Sequence, residues 1–499
     1  MIGPVGSGVS IAAGIIRDRL VNRFYYQADE VIKVSALIDA DSSKVSRRSA
    51  DGLSGHARIE HLQETGNQLR KKYGAEYLAK TVVYKINESR IAADGLEQII
   101  NDAPRRAKRL RRVTIIDSLK NGAELDLLRS VYKDMLVVFG IFAPDHVRTR
   151  RLKEAGVSDK DVGAILDRDQ GEVIPHGQQT KSIFSESDFF IRNDGDNETG
   201  LRDAIERFLE IIFDIGIHTP TFSERAMHEA DAVAHRSGCM SRQVGAAIVD
   251  EKGDVISVGW NDVPKAGGGL YTEVDQWSSD PKTGKSVDRD NRCFRFGKRV
   301  CHNDDEKELI RQELLRGLKA ANVLRPDVKD EEIAAAIKGT RLDSVIEFSR
   351  SIHAEMESIL SVARDARHSL VKSTLYVTTY PCHNCARHIV AAGIKEVVYI
   401  QPYRKSLAVK LHHDAVSEDA RTPDRTIFNQ YEGVAPKHFA RLFRARKERK
   451  SCGAVRTDDA TLAEPVFQQP LDSFIAYELR VTLELTSLTH TNAGQRGGN

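Results

Sequence analysis

The chain has 499 residues, with 74 Lys and Arg against 72 Asp and Glu, a net charge of +2, and 6% aromatic residues. That length implies two to four domains, and the balanced charge advertises neither nucleic acid nor a membrane surface. Six cysteines do not make a disulfide framework, and the small apolar residues 5–16 follow no basic stretch and are broken by Gly and Ser. Neither a signal peptide nor a transmembrane helix is expected, and a reducing cytoplasm is.

Gly3-Pro-Val-Gly-Ser-Gly-Val-Ser10 has the G-x-x-x-x-G-K-[ST] spacing of a phosphate-binding loop, with Val9 where the lysine belongs. Gly3, Gly6, Ser7, Gly8 and Val9 still offer backbone N–H groups to phosphates at a helix N-terminus, and Ser10 is placed to ligate Mg²⁺. Without the lysine's charge on the terminal phosphates, efficient phosphoryl transfer is not expected. The alternative is an ordinary Gly-rich turn. Only Met1 and Ile2 precede the loop, where a strand of ~5 residues is expected, so the native start is expected upstream of this numbering.

Val82–Ile86, Val113–Asp117 and Leu136–Phe142 are short apolar runs separated by helical patterns, the rhythm of a parallel α/β sheet. Asp117 ends its run as a Mg²⁺-directed aspartate would. His146–Arg151 carries three arginines and is placed as a kinase lid. Leu201–Phe213 is an amphipathic helix, and Gly216–Pro220 breaks the chain after it. The expected domains are therefore 1–217, nucleotide-binding; 218–450, with an insert at about 262–350; and 451–499, an extension whose residues 485–499 read as a disordered tail.

After a helix over about Ser223–Arg236, Val244–Val249 and Val255–Gly259 form a hairpin signal around Glu251-Lys-Gly253. In the insert, Cys293, Cys301 and His302 match no standard zinc spacing and read as free thiols beside a histidine, with a second, structural zinc as the alternative. Asp304–Asn322 reads as a charged amphipathic helix, suited to an oligomer contact or to covering a site. Ala354–Ala366 is helical, with Met356, Ile359, Leu360 and Ala363 on one stripe. Thr374–Tyr380 reads as a strand and Cys385–Ala392 as a helix, with Pro381 at the turn between them.

The chemistry concentrates in His353-Ala-Glu355 and Pro381-Cys-His-Asn-Cys385. His353, Cys382 and Cys385 are a nitrogen and a thiolate pair with the spacing of zinc ligands, and three protein ligands leave a fourth position for water. Glu355 is placed as general acid and base beside them. A structural zinc knuckle or two chance cysteines are the alternatives; a structural site has no use for Glu355 and takes a fourth protein ligand.

These motifs match the zinc-deaminase signature H-x-E…P-C-x-x-C. Residues 222–267 and 351–401 resemble the cytidine and deoxycytidylate deaminase superfamily, with Cys239–Val249 and Gly259-Trp-Asn261 similar to deoxycytidylate-type members. The pairing with a lysine-less loop domain similar to deoxynucleoside monophosphate kinases is narrower. With Ile116–Glu124, Phe184–Asn193 and Tyr403–Ala408, it resembles the bacterial anti-phage dCTP deaminases over roughly residues 1–450.

That resemblance implies a P-loop-type parallel sheet domain followed by a three-layer α/β/α deaminase domain. It implies Zn²⁺-dependent conversion of dCTP to dUTP, and of dCMP to dUMP, which lowers the dCTP pool during phage replication. It also implies a homo-oligomer, a nucleotide with Mg²⁺ at the loop, and an inhibitory small RNA. Asn261 is then a candidate for the deoxyribose hydroxyl, and Lys265, Gly267, Gly268 and Gly269, or Arg404, Lys405 and Ser406, for phosphate. A turn asparagine and flexible loops are the alternatives. The basic runs 105–112 and 441–450 read as solvated or phosphate-facing surfaces, or as RNA contacts. A nucleic-acid base deaminase would need a basic channel with interleaved aromatics, which this composition does not favour. A nucleotide sensor with a vestigial deaminase is opposed by the intact Glu355 and ligand set.

Overall fold

The computed structural model describes the chain except residues 95–110, 171–176, 196, 277, 280–281, 284–285, 288, 326, 339, 341, 343–344, 404–405, 468–476 and 487–499. Most of the basic run 105–112, Arg404, Lys405 and nearly all of the expected tail lie outside the described residues.

The chain divides into two compact units, Met1–Glu224 with Glu432–Asn499, and Arg225–Tyr431. The second is thus an insertion in the first. This moves two expected boundaries: the break at 217 falls at 224, and residues 432–450, expected with the second domain, belong to the first. The physical reason is a strand. Gly433–Val434 pairs antiparallel with Phe189–Arg192, which pairs parallel with Phe139–Phe142.

In the first unit Ile2 bridges in parallel to both Gly140 and Leu119. The run 113–117 forms two short pieces, Arg112–Val113 and Ile116–Asp117, paired in parallel with Gln27–Ala28 and Ile32–Lys33. Val82–Ile86, expected as a strand, lies inside the helix Tyr77–Asp94. Leu78, Val82 and Ile86, with Ala79 and Val83, are buried and recur every four residues. That stripe extends beyond the run itself, and its helical period outweighs the β-branched composition of Val82-Val83. His146–Arg151 sits in the helix Asp145–Glu154.

The returning segment is fixed by one buried carboxylate. Asp188 Oδ2 accepts from the Val138 N–H at 2.8 Å, and Oδ1 meets His438 Nε2 at 2.8 Å and Lys437 Nζ at 2.9 Å. Burial pushes its pKa up, but the His438 hydrogen bond and the Lys437 charge outweigh burial and hold it below the ordinary 3.8. A depressed carboxylate contributes stability that is present above its unfolded pKa and lost as pH falls through the folded one. Asp188→Asn is therefore expected to cost about 1–3 kcal/mol at pH 7. It should also lose less stability than the parent on acidification below about pH 4, read as urea midpoints. Parallel losses in the two proteins would rule out Asp188 as the responsive group.

The second unit is built on a mixed six-stranded sheet in the order Val416–Ser417, Thr426–Gln430, Glu396–Gln401, Thr374–Thr379, Gly245–Val249, Val255–Trp260. Thr374–Thr379 is parallel to Glu396–Gln401 and antiparallel to Gly245–Val249. Two glycines set the layers. A Cβ on Gly245 would lie 1.8 Å from Ala230 O, and one on Gly259 would lie 2.4 Å from Ala354 O. Gly259 pairs with Ala246, so it faces the opposite side from Gly245. The helix Phe222–Ala234 therefore covers one face at this edge, and Ala354–Asp365 covers the other.

Candidate metal centre

His353 is the N-cap residue of Ala354–Asp365, and Cys382 that of His383–Ala391. Both have extended backbone, which directs their side chains to the first helical turn. Cys382 Sγ accepts from the Cys385 N–H at 3.4 Å. His353 Nδ1 stands 3.2 Å from Cys385 Sγ and 3.4 Å from Cys382 Sγ.

The three ligand atoms lie within 4.8 Å of one another, and among the described residues no other His, Cys, Asp or Glu group of three is so placed. A tetrahedral zinc with one nitrogen and two sulfur ligands needs N···S edges of about 3.5 Å. The donor set and its spacing therefore fit Zn²⁺.

Glu355 is 4% exposed. Burial raises its pKa to about 7, against the opposing pull of His353. The Cys385 thiol hydrogen bond and His353 lower Cys382 to about 4 against burial, whereas its bond to Cys382 and burial keep Cys385 well above the usual thiol value. The Cys382 bond raises His353 to about 9 against its own burial.

The helix carrying His353 and Glu355 buries only part of the expected stripe: Ile359 is in the core and Met356 packs against it, but Leu360 and Ala363 are exposed. Ala354, Glu355, Ser358, Ile359 and Val362 are buried, whereas Leu360 is 38% exposed. The strand Val255–Trp260 decides this face: Gly259 gives it close approach, and Ser257 Oγ donates to Ser358 O at 2.8 Å. Ser257 is a support that a motif search passes over. The Gly-Trp-Asn run named the glycine without its reason.

The expected substrate contacts divide. Asn261 is buried, its Oδ1 accepting from the Val244 N–H at 2.7 Å and its Nδ2 donating to Arg242 O at 2.8 Å. Both ends of the Asn261 amide are thus engaged by backbone. Asn261 thereby braces the segment that sets Arg242 over the Tyr403 ring, 5.4 Å to the centroid. Lys265 Nζ is paired with Asp275 at 2.9 Å, and Gly267, Gly268 and Gly269 form a left-handed turn. Ser406 Oγ donates to Pro381 O at 2.7 Å, which ties its loop to the cysteine turn. Cys239, Cys293 and Cys301 are free thiols lining one recess with His302.

In the first unit the glycine loop leads into the helix Val9–Asn22, with Gly8 at φ 85° as its N-cap. Ser10 Oγ donates to Asp117 Oδ2 at 2.6 Å. Arg148 Nε donates to Val5 O at 2.9 Å and Arg151 Nη1 to Gly6 O at 3.3 Å, so two of the three run arginines embrace the loop. Lys120, Asn193 and Asp169 also reach it. These partners lie more than a hundred residues away, so no local signal marks them.

Residues 220–401 match the zinc-binding region of cytidine and deoxycytidylate deaminases. The deoxycytidylate deaminase of Enterobacteria phage T2 is 27% identical over 177 residues, covering 35% of this chain and 77% of that protein. The deoxycytidylate deaminase of Saccharomyces cerevisiae is 26% identical over 185 residues, 37% of this chain and 39% of that protein. Among solved structures, the dCMP deaminase of cyanophage S-TIM5 in complex with dCMP and dUMP is 17% identical. It covers 43% of this chain and 98% of its own, with a TM-score of 0.23.

Proposed function

We propose that the unit Arg225–Tyr431 hydrolytically deaminates free deoxycytidine nucleotides, dCTP to dUTP and dCMP to dUMP, with release of ammonia. The observation that carries this reading is the convergence of His353, Cys382 and Cys385 beside the buried carboxyl of Glu355. These three side chains would hold Zn²⁺, which would supply a Lewis acid able to make water nucleophilic near neutral pH.

Glu355 moves the protons. It takes one from the attacking water and delivers it to N3 of the cytosine ring, then takes a second from the hydroxyl added at C4 and passes it to the amino group, which leaves as ammonia while the C4 carbonyl forms. Its burial keeps the carboxyl out of bulk water. Asn261 steadies the segment at Arg242, and its place in the Gly-Trp-Asn run points it to the deoxyribose hydroxyl. Phosphate recognition falls to Arg242, which stands over the Tyr403 ring, and, by its position in the sequence alone, to Lys405.

The glycine loop of the first unit binds a nucleotide, with Ser10 and Asp117 available to Mg²⁺, and regulates the deaminase rather than transferring phosphate. An assembly of identical chains, restraint by a small RNA and depletion of dCTP against phage complete the proposal. They rest on the likeness of the motif set.

The test is to incubate zinc-loaded protein with dCTP, dCMP, CTP and single-stranded DNA, and to follow ammonia and uracil products. Turnover of the deoxycytidine nucleotides is expected. Deamination of the polymer alone would overturn the reading.

A further inference from the structure

The strand Val255–Trp260 runs into two buried polar residues, Asn261 and Asp262, and together they hold an arch of chain. The arch is 237–244, and it carries Arg242. At one foot the Asn261 N–H donates to Val244 O at 3.2 Å, and Asn261 Oδ1 accepts from the Val244 N–H at 2.7 Å. At the other, Ser237 Oγ donates to Asn261 O at 2.5 Å, and the Gly238 N–H donates to Asp262 Oδ2 at 2.8 Å. Gln243 Nε2 closes the arch by donating to Ser237 O at 2.8 Å.

Asp262 has a second arm. Its backbone O accepts from the Ile352 N–H at 2.9 Å, an isolated antiparallel bridge one residue before His353. One residue therefore ties a foot of the arch to the chain that delivers a metal ligand. The top of the arch returns to the same centre. Arg242 lies over the Tyr403 ring. Burial and the Cys382 sulfur push the Tyr403 phenol up, and Arg242 pulls it down, so the cysteine and the guanidinium both lie close to that ring.

The insert braces the carboxylate from behind. Asp290, whose side chain is fully buried, accepts from Arg292 Nε at 3.0 Å and from Arg292 Nη2 at 2.7 Å. That fork keeps Arg292 Nη1 3.8 Å from Asp262 Oδ2. Arg292 and Phe294 also pack on Gly238, where a Cβ would lie 3.0 Å from Arg292 Nη1 and 2.8 Å from Phe294 Cε1. The Asp262 carboxylate is thus fixed between the Gly238 amide and a guanidinium that is itself locked.

We propose that Asp262 is a positioning residue, whose carboxylate sets the arch, and with it Arg242, at the distance from the metal centre that a substrate phosphate requires. The insert that supplies Arg292 is then part of substrate recognition. This rests on the reading of the unit as a nucleotide deaminase and adds to it the residue that aims the phosphate-binding cation.

Asp262→Ala removes the carboxylate and keeps the carbonyl. In the full zinc-loaded chain its KM for dCTP and dCMP is expected to rise about tenfold, with kcat within about twofold of the parent. The absorption bands of Co²⁺ loaded in place of Zn²⁺ should stay unchanged, because the arm to Ile352 is kept. Asp262→Asn retains an acceptor for the Gly238 N–H and should return KM to within about threefold of the parent. On an Arg242→Ala background, Asp262→Ala should raise KM by less than about twofold further, because its effect runs through Arg242.

An Asp262→Ala protein with the parental KM, or one whose kcat and Co²⁺ bands shift along with KM, would overturn the positioning role and leave the deaminase reading standing. So would an Asp262→Asn protein as impaired as Asp262→Ala, or additive effects on the Arg242→Ala background. A parent that turned over neither nucleotide would overturn the deaminase reading and the positioning role with it. Gly238→Ala crowds the same foot without removing a hydrogen bond and is expected to show the same rise in KM at constant kcat. It decides the matter if Asp262→Ala does not fold.

Discussion

Glu355→Ala protein is expected to keep its zinc and to lose turnover by about 10²–10⁴-fold, the usual size of a general acid–base contribution. The carboxyl does not belong to the His353, Cys382 and Cys385 group, whose ligand atoms meet without it. Metal content, read by atomic absorption, should therefore be unchanged, and so should the KM for the nucleotide. The buried carboxyl is replaced by a methyl group, which removes its hydrogen bond with Cys385 and leaves that sulfur to its other partners, Cys382 and His353. A variant that turned over at the parent rate would remove Glu355 from the mechanism. One that lost zinc in proportion to activity would recast it as a support of the metal.

Gly259→Ala is expected to act through geometry alone, and severely. The new Cβ would lie 2.4 Å from Ala354 O and 2.5 Å from Ser358 N, both backbone atoms of the helix that begins at His353. Neither can rotate away, so the helix must lift from the strand. The cost is about 3 kcal/mol, the upper end of the range for overpacked cores. A shift of ~1 Å in the helix start also displaces His353 and Glu355 together, and a displacement of that size is worth about 10²-fold in rate. Thermal midpoint, zinc content and kcat should fall together. Gly317→Ala is the control: its Cβ meets nothing within 4 Å, and it sits in the helix His302–Ala320. That change should be neutral or slightly stabilising. An unchanged Gly259→Ala protein would mean that the sheet and helix do not touch as described.

The metal centre was legible because its parts are short-range. His353 and Glu355 are two residues apart, Cys382 and Cys385 three, and each pair rides one helix start, so spacing encodes geometry. The two helices and the strand Thr374–Thr379 were legible for the same reason. The face of the first helix was not. Its apolar pattern favoured Leu360, whereas the contact with Gly259 turned Glu355, Glu357 and Ser358 inward. Polar burial of that kind is decided by a partner strand about a hundred residues earlier. Val82–Ile86 misled through composition, because two adjacent valines look like a strand until the four-residue recurrence through Leu78 is followed. Asp169 had no local signature at all, since its meaning comes from an amide 164 residues away.

The return of the chain at Glu432 has a consequence for synthesis. Glu224 Oε1 accepts from the Val434 N–H, a bond closed across 210 residues. On a ribosome adding ~5–20 residues each second, the first unit waits ~10–40 s between the two ends of that bond. Its sheet lacks the strand Gly433–Val434 throughout, and the edge of Phe189–Arg192 stands unpaired on that side. The inserted unit has all its residues before the enclosing one does. The metal-binding half of the nascent chain can therefore mature while the half that began first is still waiting for its last strand.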